Sequence, residues 1–148
     1  MPPEDPFNLA RFVTAQAPVY QQVLLELRAG LKQSHWMWFI FPQLRELGRS
    51  STAKFYGIAS LDEARSYLDH PLLGSRLEEC TNTVLAIRGT TLHGIFGSPD
   101  DIKFRSSMTL FSLAAPGTDS PYQRALDYWC DGVPDKNTLA LIDNGSGE

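Results

Sequence analysis

Six consecutive large apolar residues occupy positions 36–41, and this run constrains the fold more than any other feature of the chain. Two of the six are tryptophans, His35 comes directly before the run, and Pro42 ends it. A large aromatic side chain removes roughly 150–250 Å² of surface from water when it is buried. We therefore expect the run to lie at the centre of the fold, with His35 at its edge. Periodicity alone allows a buried helical turn or a short buried strand here, and the helical neighbours favour the helix.

Helical patterns recur along the chain, whereas strand patterns hardly appear. The clearest is an amphipathic stripe with spacings of four and three, made of Leu73, Leu77, Cys80, Val84 and Ile87. Serines suited to cap helix N-termini precede four segments, at Ser50, Ser60, Ser98 and Ser120. Ser60 with Glu63 predicts a capping box, residues 90–97 are expected to form a connection, and a last helix is expected over about 137–142.

These patterns predict an all-α fold, a compact multihelical single domain over residues 1–148 with central buried helices. Its length is sufficient for a hydrophobic core. We expect order over about residues 5–142 and a flexible tail at 143–148, where the sequence is rich in glycine and polar residues.

The helix expected over residues 99–115 differs from an ordinary surface helix. At 100° per residue its apolar side chains fall on two opposite sides, Ile102, Leu110 and Leu113 on one and Phe104, Met108 and Phe111 on the other. A surface helix has one apolar stripe, so this helix should be enclosed by other helices. Its polar side chains then need partners, because a buried polar group left unpaired costs roughly 1–3 kcal/mol.

Two interpretations of these polar residues are open. In the first, they pair internally: the cations bind helix carbonyls or acids such as Asp100 and Asp101, and the hydroxyls bind the backbone. In the second, one polar arc opens into a cleft and presents side chains to an anionic or polar ligand, namely Lys103, Arg105, Ser106 and Thr109. Arg49 stands before two serines, where an anion can bind at a helix N-terminus, although plain capping explains the same residues.

His35 is the best candidate for acid–base chemistry, because imidazole titrates near neutral pH and here adjoins a tryptophan-rich segment. His70 suits a turn or N-cap, and His93 falls in the expected connection. The histidines lack the spacing of metal ligands, and Cys80 and Cys130 are interpreted as small core residues. The sequence predicts no metal site and no cofactor.

Charge and hydropathy exclude several partners. The net charge is −4 and no run of Lys or Arg occurs, whereas nucleic-acid binders usually carry a basic stripe. The longest apolar run has six residues, far short of the ~20 that span a bilayer. The N-terminus lacks the pattern of a secretory signal. We expect no nucleic-acid partner, no membrane partner and a cytoplasmic location.

Several motifs together resemble the uncharacterised domain-of-unknown-function family 1810. They are SHWMWF at 34–39, FPQL at 41–44, LGRS at 47–50, YGIASLDEA at 56–64, HPLLG at 70–74, IFG at 95–97 and DDIKFRSSMTLF at 100–111. The resemblance covers residues from about 5 to 141. It implies a small, all-helical, bacterial-type fold with central buried helices, and it supplies no activity, cofactor or catalytic residue.

The leading hypothesis is a small helical protein that binds a small polar or anionic ligand, nucleotide-like ligands included. The expected cleft is lined by SHWMWF and by the KFRSSMT helix. Aromatic stacking is assigned to Trp36 and Trp38, positive charge to Arg49, Lys103 and Arg105, polar contacts to Ser106 and Thr109, and any proton transfer to His35. One alternative is a structural or protein-interaction module without a ligand, and another is a small hydrolase that uses His35 with an acidic partner. The sequence does not fix the oligomeric state.

Overall fold

The computed structural model describes the backbone of residues 5–146 and the side chains of residues 5–143, and the regular elements of this part are helical. The α-helices are α1 (Ala10–Gln16), α2 (Tyr20–Arg28), α3 (Met37–Ile40), α4 (Ser51–Phe55), α5 (Leu61–Asp69), α6 (Leu73–Ala86), α7 (Leu92–Phe96), α8 (Asp100–Ala114), α9 (Pro121–Trp129) and α10 (Lys136–Ser146). A 3-10 turn covers Arg45–Leu47, and Leu44 and Ile58 form an isolated parallel bridge. The all-α prediction is confirmed.

Helix starts follow the predicted caps in three of four places. The hydroxyls of Ser50, Ser60 and Ser120 each accept a hydrogen bond, at 3.1 Å, from the amide three residues later. His70 has the predicted turn role, since its Nδ1 accepts from the amides of Leu72 and Leu73.

The fourth cap and the neighbouring connection differ from the prediction. Ser98 does not cap α8, which begins at Asp100 with Pro99 at its N-cap position and no side-chain cap. Residues 90–97 contain α7, a short helix capped by the Thr91 hydroxyl. The interpretation of this segment as a connection is therefore wrong, because one local cap and two buried residues, Ile95 and Phe96, suffice to form a helical turn.

The run at 36–41 and helix α8 meet in the core, as predicted. The run forms α3, and its Phe41 ring packs edge-on against Phe104 of α8 at a centroid distance of 5.0 Å. Helix α8 is in contact with α5, α7, α9 and α10. Its inner residues are fully buried, namely Phe104, Met108, Leu110 and Phe111.

The enclosure of α8 is incomplete, which corrects the two-sided prediction. Ile102 and Leu113 keep 59% and 39% of their surface exposed. On the side of α8 that carries Ile102 and Leu113, Leu110 is the one predicted apolar residue that is buried in the core. The periodicity of the sequence shows which residues share a side of the helix. How much of that side is covered depends on the position of the neighbouring helices.

Four of the five residues of the predicted stripe, namely Leu73, Leu77, Cys80 and Val84, are buried on α6. The fifth, Ile87, is half-buried at the C-cap, one residue after the helix ends. Both cysteines are free and buried, as expected for core residues. The last helix, predicted for 137–142, extends over Lys136–Ser146. Of the predicted flexible tail, residues 147–148 lie outside the described residues. No helix in the described part of the chain has the length and apolar character needed to cross a membrane.

A buried ion pair fixes the corner between α4 and α5. Arg11 Nη2 lies 2.8 Å from Glu63 Oε2, and both side chains are almost fully buried. Glu63 Oε1 accepts from the amide of Ala59. The Glu63 carboxylate therefore does not return to the Ser60 amide as a capping box requires, because Arg11 and Ala59 take its two oxygens.

Candidate functional site

Two lysines connect the tryptophans of the 36–41 run with Asp100 at the start of α8. Lys32 Nζ lies 2.9 Å from Asp100 Oδ2 and 5.1 Å from the centre of the Trp36 ring. Lys103 Nζ lies 3.7 Å from Asp100 Oδ1 and 5.9 Å from the centre of the Trp38 ring. Both distances to the rings are within the range of cation–π contacts. We call these five residues the Trp–Lys cluster.

The two lysines of the cluster differ in exposure. The Lys32 side chain is 8% exposed, whereas the Lys103 side chain is 27% exposed and its ion pair is longer. Asp100, with one negative charge, lies between two ammonium groups. Lys32 is thus paired inside the protein, and the positive charge of Lys103 is only partly compensated at the surface.

Glu26 of α2 anchors the segment that carries the tryptophans. Its carboxylate accepts from the amides of Gln33 and Ser34, from the Ser34 hydroxyl and from the Trp36 indole N–H at 2.9 Å. Burial opposes the ionisation of Glu26, but the hydrogen bonds from Ser34, Gln33 and Gln22 outweigh it and lower the pKa of this carboxyl to about 2. The anchor holds Trp36 in the core, 1% exposed, and leaves Trp38 half-buried.

A narrow cleft opens beside Lys103 and Trp38. Its other walls include Gln43, Tyr56 and Gly57. The space between these side chains is about 240 Å³ including the part open to solvent. The centre of a water molecule can reach only about 10 Å³ of it, which is room for about one water molecule. We call it the Lys103 cleft.

Ser107 lies one helical turn beyond Lys103 on the same arc of α8. It is fully buried, and its hydroxyl has no hydrogen-bond partner among the described residues. A buried hydroxyl without a partner is uncommon and costs roughly 1–3 kcal/mol. A polar atom beside it, from water or a ligand, would remove that cost.

Two hydroxyls predicted as ligand contacts are engaged within the protein. The Ser106 hydroxyl donates to the Ile102 carbonyl at 3.2 Å. The Thr109 hydroxyl donates to the Arg105 carbonyl and accepts from the Asp135 amide, both at 2.8 Å. Thr109 therefore joins α8 to the segment that leads into α10.

The other predicted site residues are placed outside the Lys103 cleft. Arg105 is half-buried beside Cys130; burial raises the pKa of this thiol, and the guanidinium opposes the shift. His35 and Arg49 are exposed and do not line the cleft. Asp101, one of the two acids at the start of α8, contacts the other exposed histidine, His93, with 3.4 Å between His93 Nδ1 and Asp101 Oδ2.

The structure adds residues that the sequence did not single out. Lys32 is an isolated cation in the sequence. Asp100 was considered only as an acid that the cations of α8 could bind, and its pair with Lys103 agrees with that first interpretation. Gln43 and Tyr56 line the cleft without belonging to any motif of known chemistry. The one sequence signal that could have indicated the Trp–Lys cluster was a lysine followed by two tryptophans at short spacing. Among the described residues, no group of three or more His, Cys, Asp or Glu side chains is arranged to hold a metal ion.

The fold and this cluster define an all-α protein with a cationic, aromatic surface cleft. Residues 6–142 match the model of the family described as "Protein of unknown function (DUF1810)", and the chain belongs to this family. The fold is similar to the crystal structure, at 1.38 Å, of the conserved hypothetical protein Rv1873 from Mycobacterium tuberculosis, with a TM-score of 0.91. That protein is 54% identical to the chain, and the match covers 93% of this chain and 98% of the other. No protein with a curated description matches the chain.

Proposed function

We propose that this protein binds a small polar or anionic ligand, nucleotide-like ligands included, at the Trp–Lys cluster. One observation carries the proposal: a single carboxylate, Asp100, faces two ammonium groups, and the less buried of these, Lys103, lines a cleft. The cluster has one positive charge in excess. An anion at Lys103 would compensate that charge without displacing the Lys32–Asp100 pair.

Aromatic side chains beside the charge support a ligand with a flat group. Trp38 and Tyr56 are half-buried and line the cleft, so part of each ring faces its opening. A base or other aromatic group stacked on such a ring contributes about 1–3 kcal/mol. Trp36 is buried in the core and would support Trp38 rather than touch the ligand.

The narrowness of the cleft limits what enters it. About one water molecule fits between its walls, so the anionic group would bind at the mouth, beside the Lys103 ammonium. A flat group would lie against the outer side of Trp38. Roles for His35, Arg49, Arg105, Ser106 and Thr109 stay predictions.

The proposal is tested by titrating the protein with adenosine monophosphate and with inorganic phosphate, with tryptophan fluorescence and amide chemical shifts as readouts. Lys103→Met is compared with Lys54→Met, which removes an exposed lysine outside the cluster. We expect Lys103→Met to weaken binding of both anions at least about five-fold, in the range of one charge-assisted contact. Lys54→Met should leave binding unchanged.

A variant that removes the negative charge beside Lys103 provides a second test. Asp100→Asn removes the carboxylate that competes for Lys103, so anion affinity should rise. Equal affinities for the wild type, Lys103→Met and Asp100→Asn would refute the proposal. A thermal-shift screen of metabolites against wild type, His35→Ala and Arg105→Ala tests the predicted roles of those two residues separately.

A module without a ligand is the second candidate, and a specific observation favours it. Ser106 and Thr109 pair internally, as the first interpretation of α8 expected. Ile102 and Leu113, eleven positions apart on one face of the same helix, are exposed. Recovery of one stoichiometric partner by wild type, and its loss with Ile102→Lys, would support this alternative.

A further inference from the structure

A second cavity lies on the opposite side of the Leu44–Ile58 bridge from the Lys103 cleft. Residues 43 and 57 line the Lys103 cleft, whereas Leu44 and Ile58 line the second cavity, as expected where successive residues of extended chain face opposite ways. The cavity has a volume of about 380 Å³, within the ~300–1,000 Å³ typical of small-molecule sites. We call it the bridge cavity.

The floor of the bridge cavity is rigid and apolar. Leu44 and Ile58 are buried, and two backbone hydrogen bonds hold them together: the Arg45 amide donates to the Ile58 carbonyl at 2.8 Å, and the Ile58 amide donates to the Gln43 carbonyl at 2.9 Å. At Gly57, a Cβ atom would lie only 2.4 Å from the Arg45 Cα, so the two segments touch through backbone. A site formed in advance loses little conformational freedom on binding.

The walls are also apolar, and they come from two helices. Leu61 at the start of α5 forms one side, and Leu141 and Ile142 of α10 form the other. All three are half-buried, so they leave apolar surface facing the cavity. This lining suits a ligand with an apolar body.

The rim carries a net negative charge. Its charged residues are Glu46, Asp62 and Arg65. Arg65 Nη1 lies 3.4 Å from Asp62 Oδ1, so these two charges compensate each other. Glu46 is exposed and takes part in no hydrogen bond or ion pair among the described residues, which leaves one carboxylate for a ligand.

We propose that the bridge cavity binds a small molecule that has an apolar body and one protonated amine. The body would fill the space between Ile58 and Leu141, and the ammonium would lie at the rim beside Glu46. The charge preference is opposite to that of the Lys103 cleft, so the two sites would accept different ligands. This inference does not depend on the proposed function.

The test is an amide chemical-shift titration with 2-phenylethylamine as the probe. Two comparison compounds separate the contributions: 3-phenylpropionate has the same kind of apolar body with the opposite charge, and ethylamine has the charge without the body. We expect shifts centred on residues 44, 58, 61 and 141. The probe should bind at least about three-fold more tightly than either comparison compound, as an exposed ion pair allows.

Variants test separately the contribution of the Glu46 charge and that of the apolar walls. Glu46→Gln should abolish the preference for the amine over the carboxylate, whereas Asp131→Asn, which removes an exposed carboxylate elsewhere, should retain it. Leu141→Trp should fill the cavity and abolish binding, and Leu61→Trp does the same from the other wall if the first variant does not fold. Lys103→Met should have no effect.

The inference would be overturned by binding of 3-phenylpropionate as tight as that of the amine, by shifts that centre outside the cavity, or by a preference for the amine that survives Glu46→Gln. Absence of binding of the amine up to about 10 mM, a concentration that corresponds to a binding free energy near −3 kcal/mol, would do the same.

Discussion

The Arg11–Glu63 pair and the Trp–Lys cluster both bring opposite charges together, but they differ in how completely those charges are compensated. The Arg11 side chain donates to four backbone carbonyls besides the Glu63 carboxylate, and both partners are buried. In the cluster, one carboxylate serves two lysines, and Lys103 stays partly exposed. A fully compensated pair can only hold the fold, whereas an incompletely compensated surface charge can also attract a ligand.

The largest expected effect is the loss of stability in Arg11→Met. This variant leaves the Glu63 carboxylate buried without its partner, which typically costs about 3–5 kcal/mol. Arg65→Met removes an exposed ion pair with Asp62 and should cost less than about 1 kcal/mol. Urea unfolding followed by circular dichroism measures both. Similar midpoints for the two variants would contradict the assignment of Arg11–Glu63 as the structural pair.

The second effect concerns Glu26, a buried carboxylate that is stabilised by hydrogen bonds from neutral donors and not by an opposite charge. Its pKa is about 2 in the folded protein against 4.5 as the ordinary value. Because the folded-state pKa is the lower one, the stabilisation is present above about pH 4.5 and is lost as the pH falls towards 2. Glu26→Gln should cost on the order of 3 kcal/mol at pH 7, and the difference from wild type should shrink on acidification. Unfolding free energies at pH 7, 5 and 3 that keep a constant difference would disprove this role.

A smaller effect separates the two lysines of the cluster. Lys32→Met should cost about 1–2 kcal/mol, because its ammonium is nearly buried against Trp36 and Asp100. Lys103→Met should change stability by less than about 1 kcal/mol, because the pair it breaks is long and partly exposed. Thermal unfolding in the absence of ligand compares the two. The reverse order would mean that Lys103 holds the fold.

The smallest effect is expected for two hydroxyls of α8. Thr109→Val removes the hydrogen bonds to Arg105 and Asp135 and should cost about 1 kcal/mol. Ser107→Ala removes a hydroxyl without a partner among the described residues, so it should be neutral or slightly stabilising. Urea midpoints of the two variants measure the difference. A greater loss for Ser107→Ala would show that its hydroxyl is bonded in solution.

The elements that the sequence predicted well are those controlled by neighbouring residues. A serine hydroxyl that caps the third amide after it needs no distant partner, and this holds at Ser50, Ser60 and Ser120. The stripe of α6 and the burial of the 36–41 run also follow from local patterns. The alternative use of Glu63 was not predictable, because its partner Arg11 lies 52 positions away.

The candidate site shows the same division. The meeting of the aromatic run with α8 could be predicted, since both are too apolar to lie at the surface. The sequence could not predict which polar arc of α8 faces a cleft. The segment before α10 binds Thr109, and this leaves Lys103 as the polar residue of α8 that lines the cleft. The bridge cavity had no signal in the sequence, because its lining comes from three separate segments, at residues 44–46, 58–65 and 141–142.

The two cysteines make local opening of the fold measurable. Cys80 in α6 and Cys130 after α9 are sealed from solvent and unpaired, and burial raises the pKa of the Cys80 thiol to about 12. A thiol reagent can therefore modify either one only during a transient excursion that uncovers it. The labelling rates of single-cysteine variants would report how often each of these two regions opens. Added ligand would slow the labelling of the region that it stabilises.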